Sequence, residues 1–167
     1  MEYRQAALEV MKKYNGTDEK RINHALAVLG YTQEIIEGEK VIEPFTLEVA
    51  ILTAIFHDIG IHEAELKYSS CAPIYQEKEG AIVSRKLLEE LNVRRDILER
   101  VSYIVGHHHT LKAIDDIAFQ IIWEADFLVN INEGWIKVEA KKINEIIEKN
   151  FKTKTGLKLI KEKLLEG

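Results

Sequence analysis

The stretch that decides the fold is Leu47-Glu-Val-Ala-Ile-Leu-Thr-Ala-Ile-Phe-His57-Asp58-Ile-Gly60. From Leu47 to Phe56 only Glu48 and Thr53 interrupt an apolar run. A helix that is apolar on nearly every side belongs inside a domain. Pro44 stands just before it and Thr46 offers a capping hydroxyl, so a buried central helix is expected from about Thr46 to His57. Such a helix delivers His57 and Asp58 to one buried edge. An unpaired buried carboxylate is costly, so Asp58 needs a cation or strong donors beside it.

Helical spacing continues on both sides of this segment. Ala7, Leu8 and Met11 mark a helix over 3–14, stopped by Asn15-Gly16. Asp18 caps the next, over about 19–37, whose Ile22, Ala25, Leu26, Leu29, Ile35 and Ile36 follow a 3.6-residue period before Gly38. Residues 59–79 lack clear periodicity and contain Gly60, Ser69, Ser70 and Pro73, which predicts a long irregular segment of the kind that carries function. Helices are expected again over 80 or 81 to 91, 96–107, 117–131 and 136–150, with a short one over 157–165. Strand-like alternation is nearly absent. The expectation is an all-α bundle of about seven helices in one domain spanning 1–167. Its motif-bearing core would cover about 18–132 and its C-terminal helices 135–166.

Composition excludes several classes. The chain has 167 residues, 46% hydrophobic and 31% charged, which is too apolar for disorder and long enough for a core. Lys plus Arg is 23 against 28 for Asp plus Glu, a formal charge of −5, which argues against nucleic-acid polymers as partners. The single cysteine, Cys71, has no partner for an internal disulfide and fits a reducing compartment. The start, Met-Glu-Tyr-Arg-Gln, carries no apolar run, and no stretch approaches the ~20 residues that span a bilayer. These features predict a cytoplasmic protein without a membrane partner. They leave room for a homodimer through the C-terminal helices.

Further chemistry-bearing residues lie along the chain. His24 sits at the polar–apolar border of its helix. Asp126 is set inside the apolar run Phe119-Gln-Ile-Ile-Trp-Glu-Ala-Asp-Phe-Leu-Val, and His107-His108-His109 closes the helix containing Ile104 and Val105. Taken singly, each has a bland explanation: a satisfied core histidine, a buried ion pair, a surface tract. Taken together, imidazoles with carboxylates suit Mn, Fe, Co, Ni or Zn better than Ca or Mg.

This order of residues resembles the HD superfamily, whose signature is a His, a later His-Asp doublet and a distant Asp converging on a metal in a helical bundle. The matching residues are His24 in Arg-Ile-Asn-His-Ala, His57-Asp58 in Ala-Ile-Phe-His-Asp-Ile-Gly, and Asp126 in Glu-Ala-Asp-Phe-Leu. The resemblance implies His24, His57, Asp58 and Asp126 as ligands of a divalent transition metal. Many members hold a second ion with further histidines. Here the later position falls at His107 or His108, with His107 favoured. The other, usually a His shortly before Gly-Ala, is replaced by Tyr75-Gln-Glu-Lys-Glu-Gly-Ala. Either Glu79 or Glu77 stands in for that His, or the site holds one ion.

The resemblance also implies a phosphohydrolase acting through a metal-activated water on a nucleotide or other small phosphorylated metabolite. Asp58 would orient the water or bridge two ions, and Lys67 and Arg21 would supply positive charge for the phosphoryl group. His62 and Asn130 are candidate substrate contacts, His62 also as an acid and Asn130 as an orienter of Asp126, although ordinary polar positions explain both. Two alternatives stand beside this. A di-iron oxygenase requires both Glu79 and the His107 cluster as ligands, and a non-catalytic sensor or scaffold would use the metal for stability alone.

Overall fold

The computed structural model describes residues 3–41, 43–136 and 140–166. Among them all regular structure is helical. The α-helices are α1 (Arg4–Asn15), α2 (Glu19–Glu39), α3 (Pro44–Phe56), α4 (Ile61–Tyr68), α5 (Pro73–Glu90), α6 (Arg95–Val105), α7 (Ile117–Asn132), α8 (Ala140–Asn150) and α9 (Lys154–Glu166), with a 3-10 turn at Leu111–Ala113.

Every residue of α3 from Glu48 to Phe56 is buried. The helices α1, α2, α6 and α7 pack around it, α5 lies between α4 and α6, and α9 closes over α2 and α7. Fully buried side chains such as Ile51, Leu52, Ile55, Phe56, Phe119, Ile121 and Leu128 form the centre. Each stabilises the fold by about 1.5–3 kcal/mol relative to exposure. The core therefore grips the helices on both sides of the His57-Asp58 corner.

Three expectations need correction. The cap of α3 is Glu43, not Thr46: its carboxylate accepts from Phe45 N at 3.1 Å and Thr46 N at 2.6 Å. Pro44 then occupies the first turn, where no N–H is needed. The supposed irregular segment 59–79 is mostly helix, because Pro73 opens α5 in the same way instead of breaking it. Ser69, left-handed at φ 51°, ends α4. This separate α4 was not expected, and α9, expected as a short helix from 157, begins at Lys154; the described α-helices number nine where about seven were expected. The expected start of the 136–150 helix includes 137–139, which lie outside the described residues.

The corner after Asp58 depends on a close approach. A Cβ on Gly60 would collide with the backbone of Gly80 and with Gln76 O, and one on Gly80 would come 2.9 Å from Val105 Cγ1. Gly60 lets the start of α4 approach α5 directly behind the corner, and Gly80 lets α5 approach α6. Overpacking of this kind costs about 3 kcal/mol when the obstacle is backbone. Gly60→Ala should therefore lower the urea midpoint markedly; an unchanged midpoint would show that the corner adapts.

α7 is closed at both ends. Asp116 accepts from Phe119 N at 2.8 Å at its start. At its end Gly134, at φ 74°, donates to Ile131 O at 3.1 Å while Trp135 N donates to Asn130 O at 2.9 Å. This paired closure is a Schellman motif, and it needs glycine at the left-handed position.

No single described helix is long and apolar enough to cross a membrane. The bent pair α3 and α4 meets a length and composition test together, but α3 is the buried core helix.

Candidate metal centre

His24 from α2, His57 and Asp58 from the end of α3, and Asp126 from α7 converge on one point. His24 Nε2 lies 3.1 Å from Asp126 Oδ1 and 3.5 Å from Asp58 Oδ2. His57 Nε2 lies 3.5 Å from Asp58 Oδ2 and 3.6 Å from Asp126 Oδ1. His108 joins from the turn after α6, its Nε2 3.3 Å from Asp58 Oδ1. Potential ligand atoms of His24, His57 and Asp58 all lie within 4.8 Å of one another, as do those of Asp58, His108 and His109. Asp58 is common to both sets.

The histidines are oriented from behind. His57 Nδ1 donates to Ala54 O at 2.9 Å, and His108 Nδ1 to Val105 O at 2.8 Å. With Nδ1 carrying the proton, each neutral ring presents its Nε2 lone pair to the carboxylates. Both Nε2 atoms are buried and lack a hydrogen-bond partner. Buried polar groups are rarely left so, and a cation among these donors would satisfy both. His24 Nδ1 donates to Glu133 Oε2 at 2.9 Å. A carboxylate behind a ligand histidine fixes its ring and raises its basicity. Asn130 Nδ2 similarly donates to Asp126 Oδ1 at 2.8 Å. The donor set of imidazole nitrogen and carboxylate oxygen fits a divalent transition metal.

The other sequence candidates fall into different places. His107, favoured over His108, turns away: its Nδ1 donates to Tyr103 O at 2.7 Å and its ring stacks on Tyr103 at 4.4 Å. His108 instead continues the buried stripe Ile97, Val101, Ile104 by one helical turn, a signal present in the sequence. Glu79 is buried but spoken for, accepting from Lys67 Nζ at 2.6 Å and Tyr68 OH at 2.9 Å. That pairing also holds Lys67 apart from the His-Asp cluster: its ammonium bridges Glu79 and Glu63 and is not on the cavity wall. Glu77 accepts from His109 N at 3.0 Å and Thr110 Oγ1 at 2.9 Å. His62 lies beside Arg21 and Asp18, outside the cavity lining.

A cavity of about 350 Å³ opens onto the centre. Its wall includes Arg21, Asn130 and residues the sequence did not mark, among them Lys20, Gln76, Glu133 and Trp135. Arg21 is already held by Asp18 at 2.6 Å and Glu65 at 2.7 Å. Glu133 follows Asp126 and Asn130 at i+7 and i+3, so helical spacing alone could have found it.

Without metal, protons neutralise the cluster. Burial disfavours charge on His24, but the hydrogen bond to Asp126, the charges of Asp58 and Asp126 and the bond to Glu133 raise its pKa from 6.5 to about 9. The same charges raise His57 against its burial. Burial likewise opposes ionisation of Asp58 and Asp126, yet the facing imidazoles hold both well below the usual carboxylate range. For His24 the rise corresponds to about 3 kcal/mol, fully present below pH 6.5 and lost as pH climbs through about 9. The Asp contributions are present above about pH 4 and lost as pH falls. Metal-stripped protein should therefore melt highest between about pH 4 and 6.5 and lower by pH 9.5; a flat profile from pH 6 to 9.5 in chelator would contradict this.

Comparison with known proteins gives two findings. A family model described as HD domain matches residues 21–149. Among solved structures, this chain resembles a predicted HD superfamily hydrolase from an uncultured Thermotogales bacterium, with TM-score 0.71 at 20% identity. The match covers 98% of this chain and 86% of that one. No curated protein matches the chain.

Proposed function

The chain belongs to the HD domain family, and from that premise we propose that it is a metal-dependent hydrolase of small phosphate esters. The observation that carries this is the pair of orphaned, buried Nε2 atoms of His57 and His108, aimed at shared carboxylates beside an open cavity. His24, His57, Asp58 and Asp126 would hold one ion. Asp58, His108 and His109 form a second donor set. A divalent ion bound here supplies a water acidic enough to ionise near neutral pH and a Lewis acid for a phosphoryl oxygen.

The chain's own residues do the positioning. Glu133 keeps the His24 ring in register, Asn130 holds the Asp126 carboxylate, and the carbonyls of Ala54 and Val105 fix the tautomers of His57 and His108. Lys20 and Arg21 bring positive charge to the cavity wall. Against Lys20, Arg21 and a protonated His24 stand Asp18, Asp58, Asp126 and Glu133, so the bare cavity offers an anion no excess of positive charge. Phosphate binding should consequently depend on metal, and chelation should abolish both binding and turnover.

The test is metal analysis of protein purified without added metal, followed by a phosphate-release screen over nucleotides and sugar phosphates. Release that stops on chelation and returns with Mn, Fe, Co, Ni or Zn is expected. Metal-loaded protein that releases no phosphate from any ester overturns the proposal. If both donor sets fill, wild type carries two ions and His108→Ala one. A di-iron oxygenase also needs two ions, and the second would draw on His108 and His109, since Glu79 is paired with Lys67 and Tyr68. Iron content with substrate-dependent oxygen consumption would mark that alternative.

A further inference from the structure

The cavity wall carries an indole that the metal centre does not use. Trp135 is 60% exposed, a poor position for a ring whose usual contribution is burial. Yet it is held firmly. The Schellman closure of α7 fixes its backbone, through its N–H to Asn130 O and the left-handed Gly134. Its Nε1 donates at 3.0 Å to Glu133 Oε2, the same oxygen that accepts from His24 Nδ1. Asp126, Asn130, Glu133 and Trp135 are thus one continuous piece of chain running from the metal ligands to the cavity wall.

Lys20, one helical turn before His24, lies with its ammonium 4.0 Å above the indole ring. A cation over an indole face is attracted by the ring's quadrupole. Lys20 has no carboxylate within ion-pair distance among the described residues, unlike Arg21, which already serves Asp18 and Glu65. Both Lys20 and Trp135 line the cavity. Its volume of about 350 Å³ falls in the range of small-molecule sites.

We propose that Trp135 and Lys20 form a ring-binding subsite, so that the substrate is a phosphate ester bearing a flat heteroaromatic ring, such as a nucleoside phosphate. The ring stacks on Trp135, and Lys20, displaced from the indole or sharing it, gives its charge to the phosphate. A sugar or glycerol phosphate would leave the indole bare. This rests on the hydrolase reading for the phosphate end and on Trp135 alone for the ring end.

Two measurements test the ends separately. Tryptophan emission of metal-loaded protein is followed on titration with adenosine 5′-monophosphate and with ribose 5-phosphate. The ring-bearing ester should quench, and ribose 5-phosphate should not. Trp135→Phe should lose the quench, because the remaining Trp123 packs against Phe127 and Phe151 in the core. In turnover, the ratio of kcat/KM for the two esters should fall about tenfold in Trp135→Ala, the size of one lost stacking contact. Trp135→Phe, which keeps a ring but loses the N–H to Glu133, should preserve that ratio. Any loss of centre geometry through Glu133 affects both esters and cancels. Quenching by adenosine 5′-monophosphate without phosphate release from any ester keeps the subsite and removes the hydrolase reading. Equal kcat/KM for both esters in wild type, or an unchanged ratio in Trp135→Ala, overturns the subsite and leaves the hydrolase reading standing.

Discussion

Protein in which Asp58 is replaced by alanine is expected to retain less than about a tenth of the wild-type metal and to lose at least about 10³-fold in phosphate-ester turnover. Among the described residues no other side chain joins the two donor sets. Its Oδ2 lies 3.5 Å from both His24 Nε2 and His57 Nε2, while its Oδ1 lies 3.3 Å from His108 Nε2. Removing it withdraws a negative charge from three imidazoles at once. Those imidazoles then lack the charge that favours a cation among them. Changing a residue that only supports a ligand typically costs 10–100-fold in affinity, so loss of a shared ligand should exceed that. Asp58→Asn keeps the shape and one oxygen, and should fall between wild type and alanine. The check is metal content by elemental analysis alongside turnover. Stoichiometric metal in Asp58→Ala would remove Asp58 from the ligand set.

The parts of this site that the sequence revealed are those tied to a local pattern. His57-Asp58 was legible because it ends an apolar run that has to be buried, and burial makes an aspartate conspicuous. Asp126 was legible for the same reason, within α7. His24 became informative only through the order of motifs. The histidine triplet illustrates where such reading fails. Successive residues in a turn point in different directions, and the choice of His108 over His107 follows from the buried stripe of α6, not from the triplet itself. The pairing of Lys67 with Glu79 is illegible in the sequence for a different reason. Their pairing depends on α4 packing against α5, and neither α4 nor the first turns of α5 showed a clean helical period. Pro73 and Ser69 looked like breakers, whereas one starts a helix and the other ends one. The cavity wall was the least legible part, because Lys20 and Trp135 meet across more than a hundred residues of chain.

Glu124 carries the second large prediction, and it concerns the fold alone. This carboxylate is fully buried on α7. It accepts from Gln120 Nε2 at 2.7 Å, Lys152 N at 2.6 Å, Thr153 N at 3.0 Å and Thr153 Oγ1. Those donors include the chain just before α9, so the charge sits at the positive end of that helix. The fit is tight: a Cβ on Gly156 would strike the carboxylate itself. Glu124→Ala removes the acceptor of four donors, of which Gln120 Nε2 keeps Asn150 O and Lys152 N lies nearer the surface, while Thr153 N and Oγ1 are left buried and unpaired, at a cost of about 3–5 kcal/mol. For a chain of this size that should lower Tm by about 10 °C. Glu124→Gln should be milder but still destabilising, since its amide would turn a donor toward at least one backbone N–H. A Tm within about 2 °C of wild type in Glu124→Ala would show that water or rearranged chain satisfies the donors. Because the lost bonds join α7 to α9, amide exchange should quicken first around Ile160, which is fully buried, before the α3 core opens. Protection that falls uniformly across α3 and α9 would mean that Glu124 supports the whole bundle and not the docking of one helix.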